Sequence, residues 1–147
     1  MDIEMTFVDQ FEVMKEQEKV MKFIVERVLK NCKNELEILG VKLKIPSAKY
    51  ISYDETLEVL SKNKIKISYG EDITPEAERK LSEIYPDTLV FVHSWPLSLK
   101  PFYIMPKDGK TNSKLSEGFD MIYKGLELSS GGQRIHLPEL LTERIKA

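Results

Sequence analysis

Cysteine, tryptophan and histidine are scarce in this chain, with one, one and two copies among 147 residues. The lone Cys32 excludes an internal disulfide and any cysteine-based zinc site, and it suits a reducing compartment. The two histidines, His93 and His136, have no partners at metal-ligand spacing, so His93 is expected to be a packed or hydrogen-bonded residue. No apolar run approaches the length that spans a bilayer, and the acidic N-terminus is unlike a signal peptide. A cytoplasmic protein with no membrane association is therefore expected. Charge of one sign is lacking too: 22 basic residues face 24 acidic ones, for a net charge of −2. With no global positive field to neutralise phosphates, stand-alone nucleic-acid binding is not expected.

What is present is an ordinary globular composition, 41% hydrophobic and 31% charged. The length suits one domain over residues 1–147, able to bury about two-thirds of its unfolded surface. Repeats, low-complexity stretches and interdomain linkers are absent.

Periodicity and cap chemistry sketch the elements. Met1 to Val8 alternates apolar and polar residues as a half-buried strand does. Asp9 and Glu12 form a capping box ahead of a long amphipathic helix whose apolar stripe runs from Val13 to Leu29. A short strand is predicted around Val41–Ile45, ended by Pro46. Ser52 and Glu55 form a second capping box. Ile65–Tyr69 alternates like a short strand, and Thr74-Pro75 then opens a helix with an acidic first turn. TLVFVH, Thr88 to His93, is the strongest strand and is predicted to be central. Phe102–Met105 is predicted as another strand, followed by the turn signal PKDGK and a polar, mobile loop over Lys107–Glu117. Phe119–Tyr123 is expected to pair antiparallel with Leu126–Ser130, and Leu137–Ala147 to begin a helix.

The chemistry is concentrated in GLELSSGGQRIH, Gly125 to His136. Gly131 and Gly132 let the backbone turn tightly or approach a ligand closely. Arg134 carries a planar fork suited to a carboxylate or a phosphate. Asp120 stands on the preceding predicted strand, and if the strands pair, Asp120 and Glu127 can share a divalent cation with the hydroxyl of Ser130. The same groups can instead form an internal salt-bridge network. Asp2 is either an exposed strand-end acid or a receptor for an ammonium group. Lys100 points into the pocket or lies on the surface. Glu71 and Asp72 read as structural loop acids, and Trp95 as a pocket wall.

FDMIYKGLELSSGGQRIH resembles the signature of archaeal-type aspartyl-tRNA synthetases. The likeness extends through MDIEMTF, YGEDITPEAE, WPLSLKPFYIM and RIHLPELLTERIK, in order and at similar spacing. It implies an α+β fold: part of a class II synthetase catalytic core, a mainly antiparallel β-sheet flanked by α-helices. It also implies a substrate pocket for aspartate formed by Asp2, Ser130, Gln133 and Arg134, with Glu127 at ATP and Glu127, Ser130 and Asp120 at Mg²⁺. Arg134 would fork the substrate's side-chain carboxylate, which suits aspartate over asparagine because an amide would turn an NH₂ toward a buried cation. SSGGQR resembles the aspartyl rather than the asparaginyl branch.

By the same resemblance the chain runs from the end of motif 2 to a point before motif 3. The motif 2 and motif 3 arginines, motif 1 and the anticodon-binding barrel then fall outside it. Stabilisation of phosphoryl charge by such groups amounts to on the order of 3–7 kcal/mol, roughly 10²–10⁵ in rate. The expectation is that this chain alone does not charge tRNA. Three roles follow: a truncated homologue that needs the missing parts from another chain, an aspartate- or nucleotide-sensing module, and a decayed paralogue with only a scaffold role. Exposed sheet edges would favour self-association or docking on another protein.

Overall fold

In the computed structural model, which describes residues 1–146, the β-strands form one four-stranded sheet in the order β1-β2-β3-β4. The strands are β1 (Ser47–Ser52), β2 (Thr88–His93), β3 (Gly118–Tyr123) and β4 (Leu126–Gly132). The β1–β2 pair is parallel, and the other two pairs are antiparallel. The helices are α1 (Gln10–Asn31), α2 (Lys33–Ile38), α3 (Tyr53–Lys62), α4 (Pro75–Ile84) and α5 (Pro138–Lys146). The result is an α+β fold with a mainly antiparallel sheet between helical layers.

β2 is interior, as its apolar run requires, because strands covered on both faces need no polar alternation. Val90 and Val92 join Ile122 in a core with Tyr53 and Leu60 of α3 and Ala77 and Leu81 of α4. Leu89 and Phe91 point the other way, packing with Phe119, Met121 and Tyr123 against Met14 of α1. Three helix starts follow their predicted caps. The Glu12 N–H donates to Asp9 Oδ1 at 3.0 Å while the Asp9 N–H donates to Glu12 Oε2. Ser52 and Glu55 make the same reciprocal pair, and Thr74 Oγ1 accepts from the Ala77 N–H ahead of Pro75. The apolar stripe of α1 is only partly covered: Met14 and Val25 are buried, whereas Ile24 remains exposed, as does Phe23 beside it.

The β3–β4 hairpin turns on Lys124 and Gly125, both with positive φ (50° and 80°), the geometry of the tight primed turn that matches strand twist. Gly125 is required for a further reason: a Cβ there would stand 2.8 Å from Arg79 Cγ on α4.

Four predicted strands are not strands. Met1–Val8 pairs with nothing in the sheet; its residues are largely exposed, and the chain bends at Phe7, whose φ is 61°. Val41–Ile45 is an extended lead-in, and the strand lies later, at Ser47–Ser52, where it reaches β2. Ile65–Tyr69 is drawn into a turn by the Tyr53 hydroxyl, which donates to Glu71 O at 2.6 Å and accepts from the Gly70 N–H. Its Ile65 and Ile67 pack on the α3–α4 core without a ladder. Phe102–Met105 makes only a bridge, Ile104 to Arg134, between two prolines that cannot donate to a ladder. The predicted final helix is α5, with Ala147 outside the described residues. Within Lys107–Glu117 the backbone is tied down by bridges from Leu115 to Pro96 and from Ser116 to Pro106.

Candidate functional site

β4 brings the acidic groups together through a slip in register. Asp120 opposes Ser130 and Met121 opposes Ser129, but Ile122 opposes Glu127, so Leu128 is the extra residue. In an unbroken ladder Leu128 would share the face of Ser130 and Glu127 would point away. The bulge reverses this, and such bulges re-aim a side chain in this manner. Glu127, Ser130 and Asp120 thereby line one cleft on the α3–α4 side of the sheet, with a volume of about 200 Å³. Trp95, Lys100, Tyr103 and Asp72 complete much of its wall.

Asp72 is a correction to the loop-acid expectation, since it lines this cleft. Its neighbour Glu71 is structural, its carboxylate accepting from the Ser68 N–H at 3.0 Å. Lys100 is resolved toward the pocket: its Nζ lies 2.6 Å from Asp120 Oδ2, with the two side chains 14% and 5% exposed. Its ammonium also stands 4.3 Å from the centre of the Trp95 ring, a cation–π contact. Trp95 is itself anchored, its indole N–H donating to Val92 O. His93 is half-buried, hydrogen-bonded to Ser94 and edge-on to Phe11.

The cleft has more negative charge than its one ammonium offsets. Burial pushes the Asp120 carboxyl above its usual range, with Lys100 opposing the rise. The Glu127 carboxyl is also raised, by burial and then by the charge of Asp120. Glu78 on α4 is raised in the same direction by burial, although the Glu127 N–H partly offsets it. Carboxyls displaced in this way register a place where a cation or an ammonium group would be stabilised.

Gly131 and Gly132 do not form a turn. Both lie in β4, where a Cβ on Gly131 would meet the Phe119 ring at 2.7 Å and one on Gly132 would meet Glu117 O at 2.9 Å. The chain itself thus packs closely on both glycines, and Gly131 also lines the cleft. Arg134 is outside the ring of lining residues but adjoins it, with its guanidinium 4.5 Å from the centre of the Tyr103 ring and 3.7 Å from Glu4 Oε1. Gln133 holds its place through its main chain, its N–H donating to Glu117 O and its carbonyl accepting from the Met105 N–H. Asp2 is exposed and is not part of the cleft wall.

Among the described residues no three carboxylate, histidine or cysteine groups converge as a ready metal site. The donors nevertheless suit Mg²⁺ in kind, since carboxylate and hydroxyl oxygens are its usual protein ligands. They suit it in place at Glu127, which lines the cleft and whose carboxylate has no hydrogen-bond or ion-pair partner among the described residues.

Comparison with known proteins bears on the family and the fold. The family model for class II tRNA synthetases (D, K and N) matches residues 1–147. The aspartate–tRNA(Asp/Asn) ligase of Methanocaldococcus jannaschii is 42% identical over 147 residues, covering 99% of this chain and 33% of the relative. The aspartyl-tRNA synthetase structure from Entamoeba histolytica superposes with a TM-score of 0.83 at 28% identity, over 99% of this chain and 31% of that one. Asparaginyl-tRNA synthetase from Pyrococcus horikoshii, solved with asparaginyl-adenylate, gives 0.85 at 27% identity, over 95% and 33%. The chain thus spans about a third of the length of these relatives. Matched by the family model along its whole length, the chain belongs to the class II tRNA synthetases of the D, K and N group.

Proposed function

We propose that this chain is the aspartate- and Mg·ATP-handling part of an aspartyl-tRNA synthetase-type catalytic domain, and that these 147 residues alone do not aminoacylate tRNA(Asp). The observation that carries the reading is the convergence of Asp120, Glu127 and Ser130 on one cleft beside Arg134. Its similarity to archaeal aspartate–tRNA(Asp/Asn) ligases supports the choice of amino acid. Arg134 takes the side-chain carboxylate of aspartate in a planar fork, with Tyr103 holding the guanidinium flat. Ser130 and Gln133 bound that pocket, whereas Asp2, exposed and outside the cleft wall, would have to move toward it to receive the α-ammonium.

Glu127, Asp120 and Ser130 are the oxygen donors for Mg²⁺, which when bound stabilises charge on the ATP phosphates. Glu127 also orients the nucleotide. Positioning of this kind supplies proximity, but it does not replace the arginine clamps that phosphoryl transfer requires. The exposed edge of β4, where Leu126 and Leu128 are 62% and 44% accessible, favours a second role in self-association or in docking another chain.

Aspartate-dependent ATP–pyrophosphate exchange tests the inactive-alone part of the proposal. No exchange above background is expected from the isolated chain, although Mg·ATP should bind it at equilibrium. A rate well above background would overturn the claim of inactivity, and an absence of Mg·ATP binding would overturn the claim of a retained half-site.

A further inference from the structure

We propose that Lys100 is the resident counter-ion of the cleft, and that a divalent cation enters by displacing its ammonium from Asp120. This rests on the reading of Asp120 and Glu127 as Mg²⁺ donors. The lysine is built into place rather than resting on the surface. The Lys100 N–H donates to Leu97 O, closing a 3₁₀ turn (Leu97–Leu99), and Pro101 fixes the chain beyond it. Its stem lies against the bare Cα of Gly118, where a Cβ would be 3.2 Å from Lys100 Cγ and 3.3 Å from Cε. Its head bonds Asp120 at 2.6 Å and covers the Trp95 ring.

An ammonium and a divalent ion cannot share one buried carboxylate cheaply, because their repulsion is weakly screened away from bulk water. With Lys100 on Asp120, the carboxylates of Glu127 and Asp72 still line the cleft without an ion pair among the described residues, so the pocket retains an attraction for a cation. The lysine then offsets part of the cleft's negative charge before a cation arrives and sets a threshold for filling it. Trp95 is the chain's single tryptophan, so its fluorescence reports the ammonium leaving the indole face.

The test is titration of the intact chain with Mg²⁺ alone at fixed ionic strength, followed by calorimetry and by Trp95 emission. Wild type should show saturable binding with a parallel change in emission. Lys100→Met should bind Mg²⁺ roughly tenfold more tightly, consistent with removing one nearby positive charge, and should lose most of the emission change. Lys100→Arg should bind as wild type does. Equal or weaker binding by Lys100→Met would overturn the displacement while leaving the Mg²⁺ reading intact. Should that variant not fold, wild-type binding with no emission change would overturn it as well. If no form binds Mg²⁺, the cation reading of the cleft falls and takes the displacement with it.

Discussion

The ring of Phe119 fills the space that a side chain on Gly131 would need, its Cζ 2.7 Å from the ideal Cβ position across the β3–β4 ladder. Phe119 is 1% exposed within the α1-facing core and has nowhere to move. Gly131→Ala should therefore overpack that core and cost about 1–3 kcal/mol in chemical denaturation. A neutral or stabilising alanine would show that β4 is not held this close to β3.

Arg134 should behave in the opposite way. Its side chain is 61% exposed and its contact with Glu4, itself 78% exposed, is a surface ion pair. Such pairs contribute about 0–1 kcal/mol. Arg134→Ala should leave the melting temperature nearly unchanged while removing aspartate binding. A large loss of stability would instead favour a structural salt-bridge role.

Glu127 carries a pH prediction. Its carboxyl is raised above its ordinary 4.5 in the folded chain, by burial and by the charge of Asp120. A group raised on folding contributes stability that is fully present below the unfolded value and is lost as pH rises through the folded one. Ionised Glu127 is accordingly a net cost at neutral pH. Because Glu127 is an exposed residue in β4, water screens much of this cost. Glu127→Gln should raise the thermal midpoint only slightly at pH 7, with the gain vanishing as pH falls toward 4.5 and below. A variant less stable than wild type at pH 7 would contradict the charge excess assigned to the cleft.

The second capping box offers a test of the α3–α4 layer. Ser52 Oγ accepts from the Glu55 N–H at 3.2 Å and the Ser52 N–H donates to Glu55 Oε2 at 2.7 Å. Ser52→Ala should cost about 1 kcal/mol, measured in the same denaturant series. No measurable change would mean that α3 is fixed by packing alone.

These elements also show what could be read from residue order. Caps and the β3–β4 hairpin were legible because their signals are local: Asp9 with Glu12, Ser52 with Glu55, Thr74 with Pro75. Alternation alone misled at Met1–Val8 and Ile65–Tyr69, because a strand also needs a neighbour, and no local pattern supplies one. Ser47–Ser52 was missed for the converse reason, as its partner β2 lies some 40 residues away in register with it. Asp120, Glu127 and Ser130 were legible as a group, but the bulge at Leu128 that puts them on one face was not. Asp72 reads as a loop acid because it does lie in a loop, ahead of α4, and no local pattern shows that this loop reaches the cleft.

The central claim, a retained pocket for aspartate at Arg134 beside the acidic cleft, is tested most directly by calorimetric titration of the isolated chain with L-aspartate, using asparagine and Arg134→Ala as controls. The account predicts saturable binding of aspartate to one site per chain, with weaker binding of asparagine and none by a variant that remains folded. Absence of aspartate binding by the folded wild-type chain, or undiminished binding by Arg134→Ala, would contradict it.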